Sequence, residues 1–148
     1  MDKTFLMLLE QTRIARERAE EAGRHLESYC NRSTGVRRMT PDGIRGKGGH
    51  GDPTAWNVIG KITLEQNYKT TVDTLLERKN QLEWNINADP APDMKWVLYW
   101  RLICEHPWDE ICTRLGSRYT ERGLRRAIRS LIADNDQDRW RRMLNRAL

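Results

Sequence analysis

Between Pro107 and Leu131 the chain reads PWDEICTRLGSRYTERGLRRAIRSL. Six arginines fall in this stretch, yet Trp108, Ile111, Leu115, Leu124, Ile128 and Leu131 still recur at helical spacing. The apolar residues call for two short helices locked together, and Gly116 stands where the first must end and the chain must turn. Thr120 is placed to cap the second helix, whose exposed side then carries Glu121, Arg122, Arg125, Arg126 and Arg129. Arginine suits both phosphate and the O6/N7 edge of guanine, because its planar fork donates two parallel hydrogen bonds. The pattern is that of a helix-turn-helix whose second helix enters the major groove of double-stranded DNA. The expected DNA-binding set is Arg118, Tyr119, Thr120, Glu121, Arg122, Arg125, Arg126 and Arg129, with Tyr119, Thr120 and Glu121 nearest the base edges. Spacing puts Arg122, Arg125 and Arg129 on one face and Arg126 on its flank, as a phosphate contact. A solvated bundle surface carries the same charges, and the turn at Gly116 is what separates the two readings.

Other chemistry finds less support. Cys104, His106 and Cys112 have metal-ligating side chains, but no second ligand pair lies near them, and Cys112 fits a small buried position; no metal is expected. GKGGHG matches G-x-G-x-x-G at Gly46, Gly48 and Gly51, but no strand precedes it, so a dinucleotide site is not expected. No Ser-His-Asp set and no paired carboxylates on an apolar face stand out, so the chain is read as a non-enzyme without cofactors. Trp96, Trp100, Trp108 and Trp140 read as core and interface groups.

These residues need elements to hold them. Charged residues make up 32% of the 148 positions, and the mean hydropathy is −0.82. That composition suits long solvated helices, and the predicted fold is all-α. From Asp2 to about Asn31, Phe5, Leu8, Thr12, Ala15, Ala19, Ala22, Leu26 and Tyr29 alternate in threes and fours, the seam of a coiled coil. Residues 32 to 52 hold six of the ten glycines and read as a flexible loop, either a basic arm along phosphates or a solvated linker. Asp52-Pro53 opens a second long helix running to about Asn87, so residues 1 to 88 form a helical hairpin. ADPAPD, residues 88 to 93, ends it, and residues 93 to 148 form a small helical domain with caps expected at Asp93, Thr120 and Asp136. Alanine-rich seams predict that Phe5, Leu9, Trp56 and Tyr68 are poorly covered in one hairpin, and hence a homo-oligomer.

The net charge of +5 favours a polyanionic partner, and the bias is local, from Arg114 through Arg139, Arg141, Arg142 and Arg146. No apolar stretch approaches the length of a membrane span, so no membrane partner is expected. Three cysteines in a chain without a signal-like start fit a reducing cytoplasm.

VLYWRLICEHPWDEICTRLG followed by YTERGLRRAIRSL resembles the fourth conserved region of sigma-70-type factors. It resembles more closely the small phage regulators that carry such a domain at their C-terminus, the ArpU-like and RinA-like late-gene activators. Trp108, Glu110, Ile111, Cys112, Leu115 and Gly116 match the first helix of the pattern, and Thr120, Glu121, Arg122, Leu124 and Ile128 the second. Two features depart from it: Ser117, Arg118 and Tyr119 lengthen the turn, and Gly123 interrupts the second helix at about 1 kcal/mol against alanine. The resemblance implies a phage or prophage transcription regulator in the cytoplasm of a bacterial host, an activator of late genes with RNA polymerase as a possible further partner. A small-terminase-like packaging subunit and a helical adaptor that binds RNA polymerase are the alternatives.

Overall fold

The computed structural model describes residues 1–34, 53–116 and 118–148, with side chains at 33, 34 and 53–56 left aside. Six α-helices account for most of these residues: α1 (Lys3–Thr34), α2 (Pro53–Asn87), α3 (Asp93–Leu102), α4 (Trp108–Leu115), α5 (Glu121–Ala133) and α6 (Asp138–Asn145). The protein is all-α, and no strand occurs among the described residues. The loop expected at 32–52 begins later than predicted, because α1 continues through Thr34; the rest of that reading, and that of Trp56, lies outside the described residues.

α1 and α2 pair antiparallel along their length. Ala15, Ala19 and Ala22 are buried at the seam, where the absence of larger side chains lets the two backbones come close. Thr12 is fully buried, and its hydroxyl donates to Leu8 O at 2.8 Å and, across the seam, lies 3.4 Å from Arg78 O. Toward the other end the Tyr29 hydroxyl donates to Asn57 O at 2.7 Å, which fixes the same register.

The base of the hairpin does not stand apart from the smaller helices. Phe5, Leu6 and Leu9 of α1 and Leu82 and Ile86 of α2 belong to one buried cluster with Val97, Leu98, Ile111, Leu124, Ile128, Trp140 and Leu144. Phe5 and Leu9, expected to be poorly covered, are fully buried, because α3 to α6 fold back over the hairpin end. Tyr68 does remain 40% exposed. The corner between α2 and α3 is held by Asp89, which accepts from Ala91 N at 2.8 Å and pairs with Lys95 Nζ at 2.6 Å. Lys95 is itself buried, its ammonium 5.1 Å from the centre of the Phe5 ring. Tyr99, also buried, donates to Glu83 of α2, and burial with that bond pushes its pKa well above the usual phenol value.

Arginines of the small helices and of α1 supply the remaining ties. Arg16 Nη1 donates to Ile103 O at 3.1 Å, at the end of α3, while its Nη2 pairs with Glu105 at 2.5 Å. Arg101 donates to His106 O and Ala147 O, both at 3.2 Å, joining α3 to the end of the chain. No described helix is long and apolar enough to cross a membrane.

Candidate nucleic-acid interface

α4 ends at Gly116, whose φ of +86° is open to glycine and costly for any residue with a Cβ. Tyr119 N donates back to Gly116 O at 3.3 Å, and the chain then enters α5. Thr120 is extended, at φ −115° and ψ 149°, and its hydroxyl accepts from Gly123 N at 3.2 Å. This is the cap expected from the sequence; a Cβ at Gly123 would sit 3.2 Å from the Thr120 hydroxyl, a close contact that a small shift relieves. The other two expected caps differ. Asp93 lies inside the first turn of α3 without capping it, and α6 starts after Gln137, whose amide Asn135 Oδ1 accepts at 3.1 Å.

α5 turns Leu124 and Ile128 into the core, with Leu131 and Ile132 half-buried beside them. Because Ile132 shares this inward stripe, the outward direction runs through Arg122, Arg126 and Arg129, at i, i+4 and i+7. All three are exposed, and none forms an ion pair among the described residues. Arg125 is placed differently from the expectation that it shares the outward face. It is half-buried, pairs with Glu121 at 2.8 Å, and lies 5.4 Å from the centre of the Trp108 ring on α4. The positions expected of Arg125 and Arg126 on the helix are therefore exchanged: Arg125 is on the flank and Arg126 on the crest. Trp108 decides this by occupying the side of α5 toward which Arg125 points.

The remaining expected contacts divide in the same way. The half-buried Tyr119 donates its hydroxyl to Asp93, which raises its pKa and ties the turn to the start of α3. Thr120 is occupied by its cap. Arg118 is exposed, without an ion pair among the described residues. Thr120, Glu121, Arg122, Arg125 and Arg129 line an open recess of about 440 Å³ on this face.

The terminal helix α6 is equally rich in arginine but is differently engaged. Arg139 pairs with Glu10 at 3.3 Å and Arg146 with Glu17 at 3.2 Å, both across to α1, and Arg141 pairs with Asp138 at 3.8 Å. Two of its guanidiniums thus serve as struts to the hairpin, a use that no local sequence pattern signals. Near the expected cysteines, His106 Nδ1 faces Glu110 at 3.0 Å, and Glu110 is held below the usual carboxylate range mainly by Arg114. Cys104 and Cys112 are half-buried, and no cluster of three metal-ligating side chains occurs among the described residues. Comparison with protein-family models, with curated proteins and with solved structures finds no match to this chain.

Proposed function

We propose that the chain is a sequence-specific, double-stranded-DNA-binding regulator of transcription, with α5 as the helix that enters the major groove. The observation that carries this reading is the contrast between two arginine-rich helices. α6 and its C-cap direct Arg139 and Arg146 to carboxylates of α1, whereas α5 holds Arg122, Arg126 and Arg129 outward, exposed and without an ion pair among the described residues, behind a capped N-terminus. A helix N-terminus brings backbone N–H groups and the positive end of the helix dipole to a phosphate, and unpaired guanidiniums bind it without first breaking an internal ion pair. Glu121 and Arg125 at the start of the helix have the side-chain chemistry to discriminate bases, Glu by accepting from cytosine and Arg by donating to guanine. The likeness of Trp108–Gly116 and Thr120–Ile128 to the fourth region of sigma-type factors points the same way, and points to phage late genes and the bacterial cytoplasm as the setting.

Selection of bound duplexes from a random pool, followed by footprinting, tests the proposal. Recovery of one consensus sequence, protected by the protein and lost with Arg122→Ala plus Arg126→Ala, is the expected result. A pool that stays random, or a consensus indifferent to those substitutions, would count against α5 as the reader. The position of the footprint then separates a promoter-bound regulator from a packaging subunit.

A further inference from the structure

The outer face of α2 is unusually apolar for a surface without a partner. Among the described residues, Val58, Ile59, Ile62, Leu76 and Trp84 are 52, 56, 46, 53 and 75% exposed, and all lie away from α1. At 100° per residue they form one stripe with Gln66, Lys69, Asp73 and Asn80, opposite the buried positions Leu82 and Ile86. The stripe has apolar ends, Val58–Ile62 and Leu76–Trp84, and a polar middle. Reversed upon itself, such a stripe sets Val58 opposite Trp84 and Lys69 opposite Asp73, with Ile62 and Leu76 facing the amide side chains of Asn80 and Gln66.

We propose that two copies of this chain pair antiparallel along the outer faces of α2, about a two-fold axis near residue 71. In that register Val58 meets Trp84 of the other copy, Ile62 meets Asn80, Gln66 meets Leu76 and Lys69 meets Asp73, each pair averaging position 71. The contact is isologous, so every pairing occurs twice. Charge selects this orientation. Lys69 and Asp73 are exposed, lie one turn apart, and make no ion pair among the described residues, either with each other or elsewhere. Antiparallel pairing gives each an opposite charge on the other copy, whereas parallel pairing in register sets Lys69 against Lys69 and Asp73 against Asp73. Length is also sufficient. From residue 58 to 84 the helix runs about 39 Å at 1.5 Å per residue. A contact of that length with large apolar side chains at both ends reaches the order of 1,000 Å² that a specific interface requires. The pairing stands on α2 alone and holds whether or not α5 reads DNA.

Sedimentation equilibrium at tens of micromolar tests it. The wild-type chain is expected at twice its 17.5 kDa mass. Leu76→Glu and Trp84→Glu should each yield the monomer with helical circular dichroism unchanged, since neither side chain contributes to the buried core. Lys69→Glu and Asp73→Lys should each weaken pairing by roughly tenfold, and the double variant should recover it, because the two charges exchange places across the axis. A wild-type monomer overturns the proposal, as does a dimer that none of these substitutions disturbs; single charge reversals that the double does not rescue overturn the register. Arg122→Ala with Arg126→Ala leaves the mass unchanged, so loss of DNA binding and loss of pairing are read separately.

Discussion

Two guanidiniums, those of Arg101 and Arg125, lie 5.3 and 5.4 Å from the centre of the Trp108 ring, and Arg125 is further held by Glu121. The neighbouring Arg126 has neither ring nor carboxylate beside it among the described residues. Replacing each by alanine should therefore give opposite signatures. Arg125→Ala loses a cation–π contact and packed methylenes, and should lower stability by about 1 kcal/mol in urea unfolding. Arg126→Ala should leave stability within about 0.5 kcal/mol, as surface substitutions do, yet weaken binding to all DNA sequences and reduce the salt slope by about 1. Equal unfolding midpoints for the two variants would place Arg125 outside the packing. Asp89 offers a test by pH. Its carboxylate lies below its ordinary value of 3.8, first because Lys95 donates to it and then because Ala91 N does. A depressed carboxylate stabilises the fold fully above its unfolded pKa and loses that contribution as pH falls through the folded one. Asp89→Asn should accordingly lower the melting temperature at pH 6, and the gap to the wild-type protein should close below the ordinary value of 3.8. A gap that persists at pH 2 would mean that the ion pair is not its source.

At the scale of elements, the hairpin depends on what its seam lacks. Ala15, Ala19 and Ala22 are 7, 6 and 6% exposed, so a longer side chain at any of them points into the contact between the two helices. Ala19→Leu should cost roughly 1 to 3 kcal/mol through overpacking, although leucine is nearly as good a helix former; a neutral or stabilising result would show that the seam tolerates a wider separation. Most element ends were legible beforehand, because local chemistry sets them: Pro53 at the first turn of α2, the prolines at 90 and 92 before α3, Gly116 after α4, and Thr120 before α5. The seam was legible for the same reason, as periodicity needs no knowledge of the partner. The burial of Phe5 and Leu9 was not, since the residues of α2 to α6 that share their core lie some seventy or more positions away in sequence. Nor was the rotation of α5. Choosing between Arg125 and Arg126 as the outward residue depends on where Trp108 lies, and helical spacing alone places 122, 125 and 129 on one face as readily as 122, 126 and 129. Nor are the struts from Arg139 and Arg146 to α1 legible in sequence, because a basic helix reads the same whether its charges face solvent or distant carboxylates.

At the scale of the whole molecule, hairpin and small helices share a core, and this bears on how they unfold. Leu9 is fully buried in the cluster that also holds Ile111, Leu124 and Ile128. Leu9→Ala should therefore cost about 2 to 5 kcal/mol and lower the stability of α4 and α5 along with the hairpin. Hydrogen exchange at the amides of α5 reads this directly: faster exchange in the variant is expected, and unchanged protection there would show that the two parts open independently. The same shared core changes what the hairpin can be. Chains joined by a slack tether find one another's sites through effective concentration and tolerate many separations between them. Here Phe5, Leu82 and Ile86 are embedded among the small helices, Arg16 grips the end of α3, and α6 is braced against α1. A hairpin mounted in this way cannot swivel on its own. In the pair proposed above, the distance between the two α5 helices would be set as a ruler sets it, by the length of α2, and on the proposed DNA-binding reading the spacing of half-sites would be a property of helix length.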